Sequence, residues 1–149
     1  MNNQETAVAT VSKNEIVESN SDIFKDQNFF TSIDVTNEAN AVKLYNAVES
    51  CDILIKDVIG QQIKLKDVYI EKYVKEENGV QKLKFRTILF DEEGKSYVST
   101  AYGIVNSLSK IMRIFGNPEK WASPKTVEFC ERTLKDGRTS YMLKLVVEK

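Results

Sequence analysis

From Gln61 onward, apolar and polar residues alternate in long segments separated by glycine-containing turns. A period of two is the mark of half-buried β-strands. The pattern predicts strands over residues 61–75 and 80–90, joined by Glu76-Glu77-Asn78-Gly79. Asn-Gly is a strong short hairpin signal, because both residues tolerate positive φ. Asp91-Glu92-Glu93-Gly94 makes the next turn and leads to a third strand over 95–100. The alternation then stops. Ile104, Val105, Leu108, Ile111, Met112 and Phe115 recur at helical spacing, so 103–115 is expected to be a helix with one apolar stripe facing the core. Gly116 offers a left-handed stop and Pro118 blocks continuation. Strands over 124–133 and 139–147 follow, hinged at Lys135-Asp136-Gly137-Arg138.

Upstream, residues 1–27 are polar and acidic without helical or strand periodicity, and are expected to form a flexible arm. Phe29-Phe30-Thr31-Ser32-Ile33 suits a short strand. Thr36 offers an N-cap oxygen for a helix over 37–49, where Ala41, Leu44, Tyr45 and Val48 share one side. Ile53-Leu54-Ile55 is a further short strand candidate. The expected class is mainly β with α. From Gln61 the order strand, strand, strand, helix, strand, strand is that of an OB-fold, a five-stranded Greek-key barrel with its helix between strands three and four. Here an N-terminal helix is added, and residues 28–149 are expected to form one such domain.

Alternation sorts the two faces of each strand. In the second strand Leu83, Phe85 and Leu89 fall on a core side, and Lys82, Lys84 and Arg86 on the other. In the first, Ile63 and Leu65 point inward and Lys64 and Lys66 outward. The phase then slips, so that Val68 and Ile70 point inward and Tyr69 and Tyr73 outward. A bulge near Asp67 accounts for the slip. In the third strand Val98 is the natural core residue, which turns Tyr97 outward. One surface thus combines Tyr69, Tyr73 and Tyr97 with Lys64, Lys66, Lys82, Lys84 and Arg86. Unpaired nucleic acid asks for that mixture: rings stack on bases at about 1–3 kcal/mol each, and cations follow the phosphates. The competing reading is a solubilising lysine face with half-buried tyrosines, the N-terminal helix lying over the rings. Trp121 is expected to plug the barrel end, and Lys135 and Arg138 to sit on a polar tip within reach of the groove. Phe129 and Tyr141 are assigned to the core beside Val127, Leu143 and Leu145.

Composition narrows the function classes. The 149-residue chain contains no histidine, which removes the commonest general base and the commonest zinc ligand. Its two cysteines, Cys51 and Cys130, are too few for a thiolate zinc site and read as two buried free thiols of a reducing compartment, with a disulfide as the alternative. Asp91, Glu92 and Glu93 cluster as Mg²⁺ ligands would, but they occupy a hairpin turn beside Gly94, where acidic residues are common for backbone reasons. No P-loop, nucleophile elbow or metal-binding helix motif accompanies them. No enzyme, cofactor or metal is expected. No apolar run approaches the ~18 residues that span a bilayer, so no membrane partner is expected. The net charge of −1 argues weakly against a polyanion. However, residues 1–28 hold five carboxylates against two lysines, leaving the body slightly basic.

A family resemblance is carried by Phe90-Asp91-Glu92-Glu93-Gly94-Lys95-Ser96-Tyr97-Val98-Ser99-Thr100 running into Tyr102-Gly103-Ile104-Val105-Asn106-Ser107-Leu108. Ile114-Phe115-Gly116-Asn117-Pro118, a strand, Lys135-Asp136-Gly137-Arg138 and a last strand complete it. Over about residues 50–147 the chain resembles the single-stranded DNA-binding proteins of tailed bacteriophages of Gram-positive hosts. The resemblance implies sequence-independent coating of strands displaced in phage DNA replication or recombination, in the cytoplasm of the bacterial host. Single-stranded DNA is the implied partner, with self-association a second expectation. Residues 145–149 lack the acidic tail through which many such proteins recruit partners, so recruitment by that route is not expected. The rival function is a protein-interaction module of OB type that binds a host or replication protein, since fold does not fix function.

Overall fold

A computed structural model describes residues 28–51 and 53–147; the expected flexible arm, 1–27, lies outside the described residues. Its centre is one long antiparallel ladder. Strand β3 (Gln62–Glu77) pairs with β4 (Val80–Asp91) from Leu65 opposite Asp91 to Glu77 opposite Val80. Asn78 and Gly79 join them at φ 54° and 77°, the doubly left-handed geometry for which Asn-Gly is suited. The register shifts between Leu65 and Asp67, so a bulge sits where the hydrophobic phase slips. The other edge of β3 is shared between partners on either side of it. Gln62–Leu65 pairs with β6 (Lys125–Thr133), while Tyr69–Glu71 pairs with β1 (Phe29–Thr31).

The remaining strands extend this ladder at both sides. Strand β5 (Ser96–Ser99) pairs with β4, β2 (Ile53–Leu54) joins β5 in parallel, and β7 (Thr139–Leu145) pairs with β6. The order is β2-β5-β4-β3-β6-β7, with β1 beside β3, and the result is a curled mixed sheet with two helices among the described residues. Ile55, expected to continue the short strand, instead starts a 3₁₀ turn (Ile55–Asp57), which places its side chain in full burial.

Helix α1 (Glu38–Glu49) starts one residue later than expected. Asn37, not Thr36, is its N-cap, accepting the Asn40 amide at 3.0 Å. Thr36 is held elsewhere, its amide and hydroxyl both donating to the Asp34 carboxylate. Helix α2 (Tyr102–Phe115) stops at Gly116 as expected, but with φ 87° and ψ 176°, an extended exit rather than a left-handed helical one. Its start is pressed onto β7: a Cβ on Gly103 would lie 2.0 Å from the Tyr141 carbonyl oxygen.

The two helices cover opposite faces. Ile104, Val105, Leu108, Ile111 and Met112 of α2 pack with Ile63, Leu65, Val68, Ile70, Phe85, Leu89, Val127, Phe129 and Leu143 in the main core. On the other face Leu44 and Ala47 of α1 lie in a smaller cluster with Tyr69, Ile88, Phe90 and Val98. Leu44 is the one large side chain that α1 buries fully, so its docking rests on little more than the ~1.5–3 kcal/mol of a buried leucine.

Where the covers overlap, Thr87–Asp91 is buried throughout, and the Thr87 hydroxyl has no hydrogen-bond partner among the described residues. Thr87→Val keeps the shape and removes the unpaired group. It should raise the unfolding free energy by about 1 kcal/mol, seen as a higher urea midpoint at unchanged m-value. A lower midpoint would mean that the hydroxyl is satisfied after all.

Candidate functional site

The outward face of the β3–β4 ladder is set by register. Tyr69 stands opposite Ile88, Glu71 opposite Arg86, Tyr73 opposite Lys84, and Lys75 opposite Lys82. Residues two apart share a face, so Tyr69, Glu71, Tyr73 and Lys75 line up beside Ile88, Arg86, Lys84 and Lys82. The sequence reading of β3 and β4 agrees with this arrangement. Helix α1 and β1 divide the face into a covered base and an open outer half.

The three tyrosines therefore part company. Tyr69 does point outward, but it is only 7% exposed. Helix α1 lies over it, and Phe29 of β1 stacks on its ring with centroids 5.6 Å apart. Its hydroxyl donates to Glu71 Oε1 at 3.0 Å. Burial, reinforced by that carboxylate, pushes the phenol up to about 12. Tyr97 is a correction of facing. It points into the main core at 1% exposure, tilted against Phe129, and its hydroxyl donates to Asp91 Oδ2 at 3.0 Å and accepts from Gln61 Nε2 at 3.4 Å. Burial first, and the Asp91 hydrogen bond second, push it up to about 12 as well. Val98, expected inside, occupies the α1 side instead. Only Tyr73 of the three is half-exposed on the open half.

The cations divide likewise. Lys82 and Lys84 flank one carboxylate, reaching Glu77 at 3.5 and 3.4 Å, and Arg86 lies 4.0 Å from Glu71. The Lys84 hydrogen bond, helped by the charges of both lysines, holds the Glu77 carboxyl below its ordinary value. Exposed pairs of this kind are weak, so they leave the cations available to a stronger anion. Lys64 and Lys66 are exposed, but Lys64 stands before the bulge and Lys66 within it, and seven residues of strand separate Lys66 from Tyr73, about 23 Å. Lys66 lines a hollow with Asp34, Asp67 and Glu92 rather than joining the hairpin cluster. The structure thus brings Tyr73, Lys82, Lys84 and Arg86 together, adds Lys75, and keeps Lys64 and Lys66 apart. Lys75 follows Tyr73 at the same two-residue step, the signal by which alternation places it on this face.

The turn carboxylates do not converge. Asp91 Oδ1 accepts the amides of Glu93 and Lys95, both at 2.9 Å, and Oδ2 accepts Tyr97, while Glu92 and Glu93 are exposed. Asp91 is thereby a buried anchor of the β4–β5 turn. Trp121 is half-buried against the main core, its indole donating to the Gly116 carbonyl at 2.9 Å, with the Lys125 ammonium between it and Phe115. Arg138 at the last hairpin tip pairs with Asp136 at 2.7 Å. Phe129 is fully buried, whereas Tyr141 is only half-buried at the core's margin.

A family model described as phage single-stranded DNA-binding protein, of the Phi29 type, matches residues 5–146. No curated protein and no solved structure gives a match.

The buried phenols set an alkaline limit. An unfolded chain ionises them near 10.0 and the folded one near 12, so their contribution to stability is whole below pH 10.0 and drains away as pH rises towards 12. In a spectrophotometric titration Tyr69→Phe and Tyr97→Phe should each remove one late-ionising phenol. Loss of an early-ionising phenol instead would show that the ring is open to water.

Proposed function

The chain belongs to the family of phage single-stranded DNA-binding proteins, and on that premise we propose how it holds its ligand. The unpaired strand lies along the open half of the β3–β4 hairpin. A base stacks on Tyr73, and phosphates meet Lys75, Lys82, Lys84 and Arg86. Lys64 and Lys66 extend the basic track towards the foot of β3. Tyr69 is reached only with α1 moved aside, and Tyr97 supports the core rather than the ligand. The observation that carries this reading is the register pair of Tyr73 and Lys84, flanked on the same face by Lys82 and Arg86.

Stacking accepts any base, since every base has a π-face. The proposed role is therefore sequence-indifferent coating of strands displaced during phage DNA replication or recombination in the host cell. It makes and breaks no bond; Asp91, the acidic residue nearest to a catalytic candidate, has both oxygens engaged in the turn. We read β3–β7 as the five strands of an OB-fold. Their order β5-β4-β3-β6-β7 and the position of α2 between β5 and β6 support that reading.

A dT oligomer of tens of nucleotides should quench the tyrosine and Trp121 fluorescence of the full chain, more weakly as salt is added. Tyr73→Ala should lose about 1–3 kcal/mol of binding, and Lys84→Ala or Arg86→Ala should each lower the salt slope by about 0.7. Tyr97→Phe should bind like the parent. Parent-like binding by Tyr73→Ala, Lys84→Ala and Arg86→Ala would remove the hairpin face from the site. A chain that ignores oligonucleotides altogether would return the protein-interaction module as the better reading.

A further inference from the structure

A cleft of about 540 Å³ opens beside that face, lined by residues that follow β5, by β2 and by β7. Sites for small molecules span about 300–1,000 Å³. Strands β5 and β7 are not hydrogen-bonded to each other, and the cleft occupies the seam between them. Thr100 and Ala101 line it from the β5 side and Tyr141 from β7. Two cations line it, Arg86 and Lys56, against one carboxylate, Glu49. The lining therefore pairs an incompletely buried ring with a net positive charge, while leaving apolar and hydroxyl surface between them.

Arg86 belongs to both places. It projects on the hairpin face opposite Glu71 and lines the cleft as well. Its pairing with Glu71 is long, at 4.0 Å, and its side chain is a quarter exposed. A strand that runs past Tyr73 and Lys84 meets Arg86 next, and from there the cleft is the adjoining hollow. Resting on the reading above, we propose that the cleft takes one nucleotide of the bound single strand, with its base against Tyr141 and its phosphate between Arg86 and Lys56. Tyr141 is then a contact residue that its place on the core side of β7 concealed.

Cys51 lines the cleft and Cys130 does not, which supplies a reporter that leaves the site unaltered. In full-length Cys130→Ser protein, a dT oligomer should slow maleimide labelling of Cys51 severalfold. Thymidine monophosphate at the same nucleotide concentration should leave the rate unchanged. Tyr141→Leu should weaken oligomer binding roughly tenfold, whereas Tyr141→Phe should bind like the parent. Lys56→Glu, at an exposed position, should weaken binding and flatten its salt dependence even if Tyr141→Leu does not fold. Unchanged or faster Cys51 labelling, in a protein that does bind the oligomer, overturns the cleft assignment and leaves the hairpin site standing. Protection by the monophosphate alone overturns the strand assignment in favour of a free-nucleotide site. A parent protein that binds no oligomer overturns both readings together.

Discussion

Strand β3 must present the same side of its polypeptide to two different neighbours, and the bulge between Leu65 and Asp67 is what allows it. Before the bulge its inward residues are Ile63 and Leu65; after it they are Val68 and Ile70, one step out of phase. Without the extra residue every side chain beyond Asp67 would change sides. Tyr69 and Glu71 would enter the main core, and Val68 and Ile70 would leave it. The same displacement puts Tyr69 and Tyr73 on the outer face, and it frees one edge of β3 to receive β6 first and β1 later. Core, edge pairing and candidate ligand face thus share one backbone irregularity.

Cover, rather than facing, then decides which aromatic rings are available. At its base the ladder is sandwiched between α2 and α1; towards the Asn78-Gly79 tip α1 is absent and the outer face meets water. Tyr69 and Tyr73 sit four residues apart on the same side of one strand, yet one is sealed and the other is half-open. The seal is slight in energetic terms, since α1 leaves Val42 and Tyr45 exposed and buries few side chains. Charge on the open half is moderated by Glu71 and Glu77, which lie within 4.0 Å of Arg86, Lys82 and Lys84. This arrangement keeps a near-neutral chain from displaying an unscreened cationic patch when no polyanion is near.

Much of this was legible from alternation. The strands, the Asn-Gly hairpin, the site of the bulge and both helices follow from local patterns, because each depends on neighbours within a few residues. The errors arise where a side-chain partner or a covering helix, rather than periodicity, decides the outcome. Tyr97 and Val98 are both apolar enough to be buried, and both are, on opposite faces of β5. The deciding partner for Tyr97 is the inward Asp91 carboxylate across the turn, and Val98 is accepted outside because α1 makes that side a second core. Thr36 and Asn37 are both good caps; Asp34 claims the first and leaves the second. The seam that contains Tyr141, Lys56 and Arg86 joins segments remote in sequence, and no periodicity announces it.

Strand β7 ends the sheet, and a bare terminal strand would be a template for another chain. Helix α2 closes part of it. The Leu143 amide donates to Ser107 Oγ at 3.1 Å, and Gly103 lies flat against the Tyr141 carbonyl. Along that stretch the outward main-chain groups already have neighbours. A second copy brought alongside would therefore find that part of the edge already occupied.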